Sequence, residues 1–440
     1  MRAILVSFVL GLFAFEQIEA GHCPFNGSPG YGPDVCDGKR DDGPCKPFSP
    51  LTHDGSYASW VSARGNLIKK LWGGGAPPTR TKPDVGPTPF TTPVVFGNCM
   101  CLLRGECPAS ACAKQINATT FSWNISVFVN KSFGSVDLSS VVIHSLNTSG
   151  VAVGNSEKFD PPHAQWPNPP QPPQRLSDTL VIFHDGHAIT NGCHYDVEET
   201  VDWFNRLGFD VMHLQMPFHG CNAKDPLHPR SHKWFAQFAG KDGRGSDAFP
   251  FMRFFIEPVW LTINYAKSLG YERIVMAGLS GGGFTTHMAS AIDPRIGLSL
   301  PVAGSIPCDF VHTSWDYEQF CDQPWAKVAN YTSLYVMASL EPERAQVQVL
   351  HEWDSCCFHG CGRHPRIQKY NEFVRASGRG QFVTTVTSGN IHEVNERDRV
   401  VIASTIEAWR SNGGRLEEED LKRIPFSLTP FVPAEVSIPL

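Results

Sequence analysis

Residues Arg273 to Ala291 read R-I-V-M-A-G-L-S-G-G-G-F-T-T-H-M-A-S-A. An apolar, β-branched lead runs into Gly278-Leu279-Ser280-Gly281-Gly282. Apolar residues then recur at Phe284, Met288 and Ala291, one face of a helix that Asp293-Pro294 closes. The order is strand, sharp turn, helix. Glycines two before and two after the serine suit a turn too tight for side chains on either flank, which pushes the hydroxyl out to where a substrate can reach it. The helix start behind it offers unpaired N–H groups and a positive dipole end to an anion. Ser280 is therefore the candidate nucleophile. In a chain with 39 glycines the bare five-residue pattern also arises by chance; its seat between strand and helix gives it meaning.

At 440 residues the chain is long enough for one large domain with appendages or two ordinary ones. Its charge is mildly negative, 37 Lys and Arg against 43 Asp and Glu, without a basic cluster. Nucleic acid and anionic membranes are poor partners for such a surface, and a small neutral substrate fits better. Met1 to Ala20 carries one early arginine, an apolar run from Ile4 to Phe15, and Ile18-Glu19-Ala20 with a small final residue. This is the pattern of a signal peptide (1–20); the run is shorter than the ~20 residues of a membrane span, and no later stretch approaches that length. Asn26, Asn117, Asn124, Asn130, Asn147 and Asn330 each begin an N-x-[ST] sequon, which predicts glycosylation. All 14 cysteines lie beyond Ala20, an even number that suits disulfides in a secreted protein. Cys99, Cys101, Cys107 and Cys112 lack the paired spacing of a metal knuckle, so bridges are favoured there.

The stretch 21–93 is rich in Gly, Pro and Cys and reads as a disulfide-stapled, loop-rich extension wrapped on the main domain, with Leu67-Ile68 on a short helix. The main domain is assigned to 94–412. It begins with β patterns at Val94-Val95-Phe96, Phe121 to Val129 and Val141 to Ile143, expected as antiparallel entry strands of the main sheet. Seven prolines between Asp160 and Pro173 mark an extended connector. Strands and helices then alternate: Leu180 to Phe183, a helix through Val197, Val201 and Phe204, Asp210 to Leu214, a helix from Pro258 in its first turn to Leu269, and the serine strand. Such alternation implies α/β architecture with a parallel sheet buried on both faces. Leu298 to Ala303, Val347 to Leu350 and Phe382 to Val386 are further strands. A last helix carries Ile402, Ile406 and Trp409, and 413–440 is a tail. The stretch 221–250, with Trp234, Phe235 and Phe238, is a candidate cap insertion, with a surface loop as the plainer reading.

A serine needs a histidine base and a carboxylate to orient it. In parallel sheets such groups gather at the carboxyl ends of strands. That rule selects Asp354, after the Val347 strand, and His392, after the last strand. Asp309, Asp316 and Glu352 compete for the acid, and His359 and His364 for the base, but the two histidines precede any further strand. The oxyanion hole is assigned to the N–H of Gly281 and of His187, with Gly186 second. His184 and His187 are alternatively a metal pair; with no third ligand in the neighbouring sequence, and no metal needed for serine chemistry, no cofactor is expected. Cys356, Cys357 and Cys361 follow the candidate acid directly, and a bridge in that loop, or from it to the Cys308 and Cys321 region, would hold Asp354 in place.

The G-L-S-G-G elbow, the H-D-G-H turn at His184, and the order Ser, Asp, His resemble the α/β-hydrolase superfamily. A-I-D-P-R-I and P-V-A-G-S-I-P look most like its dienelactone-hydrolase, acetyl-xylan-esterase and prolyl-oligopeptidase-like branches. The resemblance covers about Val94 to Trp409. It implies an eight-stranded, mostly parallel sheet and hydrolysis of a small ester, or of a short peptide, through an acyl-enzyme. Asp185 stands where the family usually has glycine, which bears on the second oxyanion donor. A catalytically silent binding scaffold is the rival from another class.

Overall fold

The computed structural model describes residues 55–89, 94–95, 113–114, 118–130, 134–146, 177–187, 197–222, 232, 235, 251–307, 317–319, 325–356, 358, 364–389 and 391–424. The leader, Cys23, Cys36, Cys45, Asn26, Asn117, Asn147, the proline-rich connector, Trp234 and Phe238 lie outside the described residues.

Strands β1 (Val85–Pro89), β4 (Ala118–Asn130), β5 (Gly134–Ser145), β6 (Thr179–His184), β7 (Asp210–Leu214), β8 (Arg273–Leu279), β9 (Ile296–Val302), β10 (Ala345–His351) and β11 (Gln381–Thr387) form one nine-stranded sheet. Its order is β1-β4-β5-β7-β6-β8-β9-β10-β11. From β7 onward every pairing is parallel, whereas β1, β4 and β5 enter antiparallel. The α/β class and mostly parallel sheet expected from the sequence are what the chain adopts. The count differs by one: β1 comes from the stretch read as loop-rich extension and pairs with β4. Val94–Val95 (β2) is also not an entry strand; it pairs with Ala113–Lys114 (β3) in a separate two-stranded sheet. Two residues are too short a run for the apolar pattern to distinguish one sheet from another.

The central strands are continuous apolar runs because both faces are covered. Leu180 and Ile182 of β6 and Ile274 and Met276 of β8 enter one core, while Val181, Phe183, Val275 and Ala277 enter the other, the period of two that a pleated strand imposes. On the first side lie α1 (Tyr57–Leu71), α3 (Arg253–Ser268), α4 (Gly281–Ile292), α5 (Tyr331–Ala338) and α6 (His364–Ser377). On the second lie α2 (Val197–Arg206), α7 (Glu396–Ser411) and α8 (Glu418–Arg423). Helix α3 starts at Arg253, so Pro258 is inside it, not in its first turn. Burial of Phe254, Phe255 and Ile256 carries the apolar face ahead of the proline, and one backbone bond is forgone.

Helix α1 is longer than the short helix expected and is part of the core. Trp60, Leu67 and Leu71 are buried in it. Arg64 donates to Ala291 O at 2.9 Å and Met337 O at 2.6 Å, and pairs with Glu341, clamping the ends of α4 and α5. Phe235 is fully buried against Phe251 and Tyr317, so this point of the candidate cap is core and not surface loop. Among the described residues no helix is long and apolar enough to cross a membrane. Because Leu67 is wholly buried, Leu67→Ala is expected to lower stability by about 2–5 kcal/mol in chemical denaturation; a change within 0.5 kcal/mol, the ordinary range for surface positions, would mean that α1 adds nothing to the core.

Candidate active site

Ser280 sits between β8 and α4 at φ 57°, ψ −122°. A non-glycine residue held there stores strain of order 1–3 kcal/mol, which surrounding packing must sustain. The glycines supply that packing. A Cβ on Gly282 would lie 2.0 Å from His184 O, one on Gly278 2.5 Å from Gly282 O, and one on Gly304 2.3 Å from Gly283 C. Three strand ends therefore meet backbone to backbone around the serine. Ser280 N donates to Val302 O at 2.9 Å, and Phe284 N to Ser280 O at 2.9 Å, tying the turn to β9 and starting α4.

The turn after β6 walls one side of Ser280. A Cβ on Gly186 would meet Ser280 Cβ at 2.7 Å and Oγ at 3.4 Å, and one on Gly281 would meet His187 Cε1 at 2.5 Å. The three residues named for the oxyanion hole are thus brought together beside Ser280. Asp185, the departure from the family pattern, serves as a strut: its carboxylate accepts from His213 Nε2 on β7 at 2.8 Å, and its N–H donates to Leu214 O. With that side chain engaged on β7, Gly186 and His187 stand next to Ser280. His184 does not pair with His187. Its Nδ1 lies 2.8 Å from Asp185 O, and burial pulls its pKa down to about 4, so it is a neutral core imidazole.

Two and three strands away, at the same carboxyl edge, are the candidate acid and base. Asp354 follows β10, is buried, and accepts from Cys356 N at 2.7 Å. His392 follows β11, and its Nδ1 lies 2.8 and 2.9 Å from the two Asp354 oxygens. An Nδ1–H donated to a carboxylate puts the lone pair on Nε2, the tautomer a general base needs. That Nε2 is buried without a hydrogen-bond partner, so the bond to Ser280 Oγ is not closed; such bonds are often long before substrate binds. A strained serine turn between strand and helix, followed in chain order by acid and histidine at one sheet edge, decides the architecture. The chain has the α/β-hydrolase fold.

No family model matches the chain, and neither does any curated protein. Solved structures with a similar course include the methylesterase BT1017, 14% identical over 85% of this chain and 67% of that one, with a TM-score of 0.46. Acetyl xylan esterase 1 from Thermoanaerobacterium sp. JW/SL YS485 is 11% identical over 79% of this chain and 91% of that one, with a TM-score of 0.41. An S-formylglutathione hydrolase from Agrobacterium tumefaciens is 13% identical over 69% of this chain and 98% of that one, with a TM-score of 0.41. Function has to be read from this chain's own residues.

Several of those residues escape a sequence reading. His351, at the end of β10, lies 3.3 Å from Asp354 through Nδ1 and 2.8 Å from Asp398 through Nε2. Asp398 also accepts from Thr387 Oγ1 at 2.6 Å and from Asn395 N at 2.9 Å, closing a capping box at the start of α7. The loop bearing His392 is therefore anchored where it joins α7. Around His187 a second group assembles: one ring nitrogen from each of His187, His219 and His232 lies within 4.8 Å of the others, with the buried Glu318 beside them. The strand-end rule that selects Asp354 applies equally to His219 after β7, whereas nothing local marks His232 or Glu318. Asp354, Cys356 and His392 also stand close, but Cys356 is disulfide-bonded and offers no thiolate. Cys357, Cys361, Asp309, Asp316 and His359 lie outside the described residues, as does the His364 side chain. Of the sequons, Asn124 is exposed on β4, while the half-buried Asn330 caps α5 through its side-chain oxygen.

Burial alone would lower the His351 pKa, but its hydrogen bonds and charge contacts with Asp354 and Asp398 outweigh that and raise it to about 9. A histidine whose folded pKa is raised contributes stability that is fully present below its unfolded pKa of about 6.5 and lost as pH rises through the folded value. Stability is therefore expected to fall between pH ~6.5 and ~9, and Asp398→Asn to flatten the dependence. An imidazole NMR titration of His351 that gave an ordinary pKa would contradict this.

Proposed function

We propose that the protein is a secreted serine hydrolase of small carboxylic esters. Ser280 Oγ attacks the ester carbonyl, His392 Nε2 takes the hydroxyl proton, and Asp354 holds the imidazole in the right tautomer and stabilises the imidazolium. The N–H groups of Gly281 and His187, with Gly186 lining the wall, receive the charge that develops on the carbonyl oxygen. His392 then returns the proton to the departing alcohol, and water hydrolyses the acyl-enzyme by the same steps.

One observation carries this reading: His392 is fixed on Asp354 through Nδ1 while its Nε2 is buried without a hydrogen-bond partner, at the sheet edge where Ser280 is held in a strained turn. A silent scaffold has no use for that strain or for a base in the reactive tautomer. The secretory assignment and glycosylation rest on the leader pattern, the sequons and the cysteine usage, and the disulfide-bonded state of Cys221 and Cys356 is consistent with them.

A fluorophosphonate probe is expected to label the wild-type protein and not Ser280→Ala. Turnover of short acyl esters is expected to fall by about 10³-fold or more in that variant. A wild type that stays unlabelled and hydrolyses neither esters nor peptides favours the scaffold; faster cleavage of peptides than of esters favours a peptidase.

A further inference from the structure

The histidines and glutamate beside Ser280 are arranged as ligands. His187 Nε2 lies 2.9 Å from His232 Nδ1 and 3.0 Å from Glu318 Oε1, and His232 Nδ1 lies 2.8 Å from Glu318 Oε2. His232 Nε2 lies 2.9 Å from the carbonyl of Pro217. A carbonyl only accepts, so Nε2 carries a proton, and in the neutral ring the Nδ1 lone pair then faces both His187 and the carboxylate. A neutral imidazole lone pair against a carboxylate oxygen at that separation is repulsive. One proton on His187 Nε2 relieves at most one of the two contacts that nitrogen makes, and Glu318 Oε1 is buried without a hydrogen bond. A cation between these atoms satisfies all of them together.

We propose that His187, His219, His232 and Glu318 form a binding site for a divalent transition metal, with zinc the best match. Three imidazoles and a carboxylate suit zinc and its neighbours, whereas calcium and magnesium prefer all-oxygen sets. Ligands at ~2.0–2.1 Å on a tetrahedral ion stand about 3.3 Å apart, so the His187, His232 and Glu318 donors need shift only by a few tenths of an ångström, and His219 joins them from within 4.8 Å of the other two imidazoles. The Pro217 carbonyl holding the far nitrogen of His232 is the usual outer partner of a ligating histidine. Phe218, Phe235 and Phe255 pack around His232 and restrict solvent.

The four ligands come from four separate segments: the turns after β6 and β7, residue 232, and the single helical turn Tyr317–Gln319. An ion there cross-links the segment following the β7 turn to the turn that carries Gly186 and His187. Its bearing on catalysis rests on the serine-hydrolase reading; its existence does not.

The test is metal binding by the untagged full chain after chelator treatment and dialysis. Zinc content by plasma mass spectrometry is expected to reach about one ion per chain, and Co²⁺ to give the visible bands of a tetrahedral site. His219→Ala, at a half-buried position that tolerates truncation, and Glu318→Gln are each expected to weaken binding by at least about tenfold. Failure of the wild type to take up either metal would overturn the proposal, showing a protonated His–Glu network in its place. Equal uptake by the wild type and both variants would also overturn it, placing the ion elsewhere.

Discussion

The architecture depends on a close approach of backbones around Ser280. The ends of β6, β8 and β9 meet the start of α4 so tightly that a single added carbon at Gly278, Gly282 or Gly304 would lie within 2.5 Å of a backbone atom. That crowding keeps Ser280 at positive φ and sets its side chain off the helix start, where backbone N–H groups are unpaired. Each piece of the site is placed relative to this junction. Gly186 lies against Ser280, His187 lies against Gly281, and the sheet order carries Asp354 and His392 to the same edge.

Holding such a turn requires rigid surroundings, and the chain supplies them with buried polar struts as well as apolar packing. Asp185 is pinned by His213, Arg64 joins α1 to the ends of α4 and α5, and His351 bridges Asp354 and Asp398. Each strut joins segments distant in sequence. Buried charges of this kind are costly unless fully paired, and here most of their polar atoms have partners.

The serine turn, the alternation of strands and helices, and the placing of Asp354 and His392 at the strand ends were legible because each rests on local pattern: glycine spacing, apolar period, position after a strand. What was not legible depends on contacts between distant segments. The stretch around Leu67 reads as only a short helix within a loop-rich extension, yet burial against α4 and α5 makes it the full helix Tyr57–Leu71. Pro258 suggested a helix start, but the phenylalanines ahead of it find a core and extend the helix backwards. Asp185 looked like a defect in an oxyanion turn until His213, on the adjacent strand, supplied its partner. His232 and Glu318 carry no local signal, since only the folded chain sets them beside His187.

In the proposed reaction Ser280, His392 and the two N–H donors serve one reacting carbonyl. A crystal structure of the protein phosphonylated at Ser280 tests it directly. The phosphoryl oxygen is expected at about 2.7–3.1 Å from the N–H groups of Gly281 and of His187 or Gly186, with His392 Nε2 within hydrogen-bond reach of Ser280 Oγ and still held by Asp354. An adduct whose oxygen faces solvent, with the His392 ring beyond reach of the serine, would contradict it.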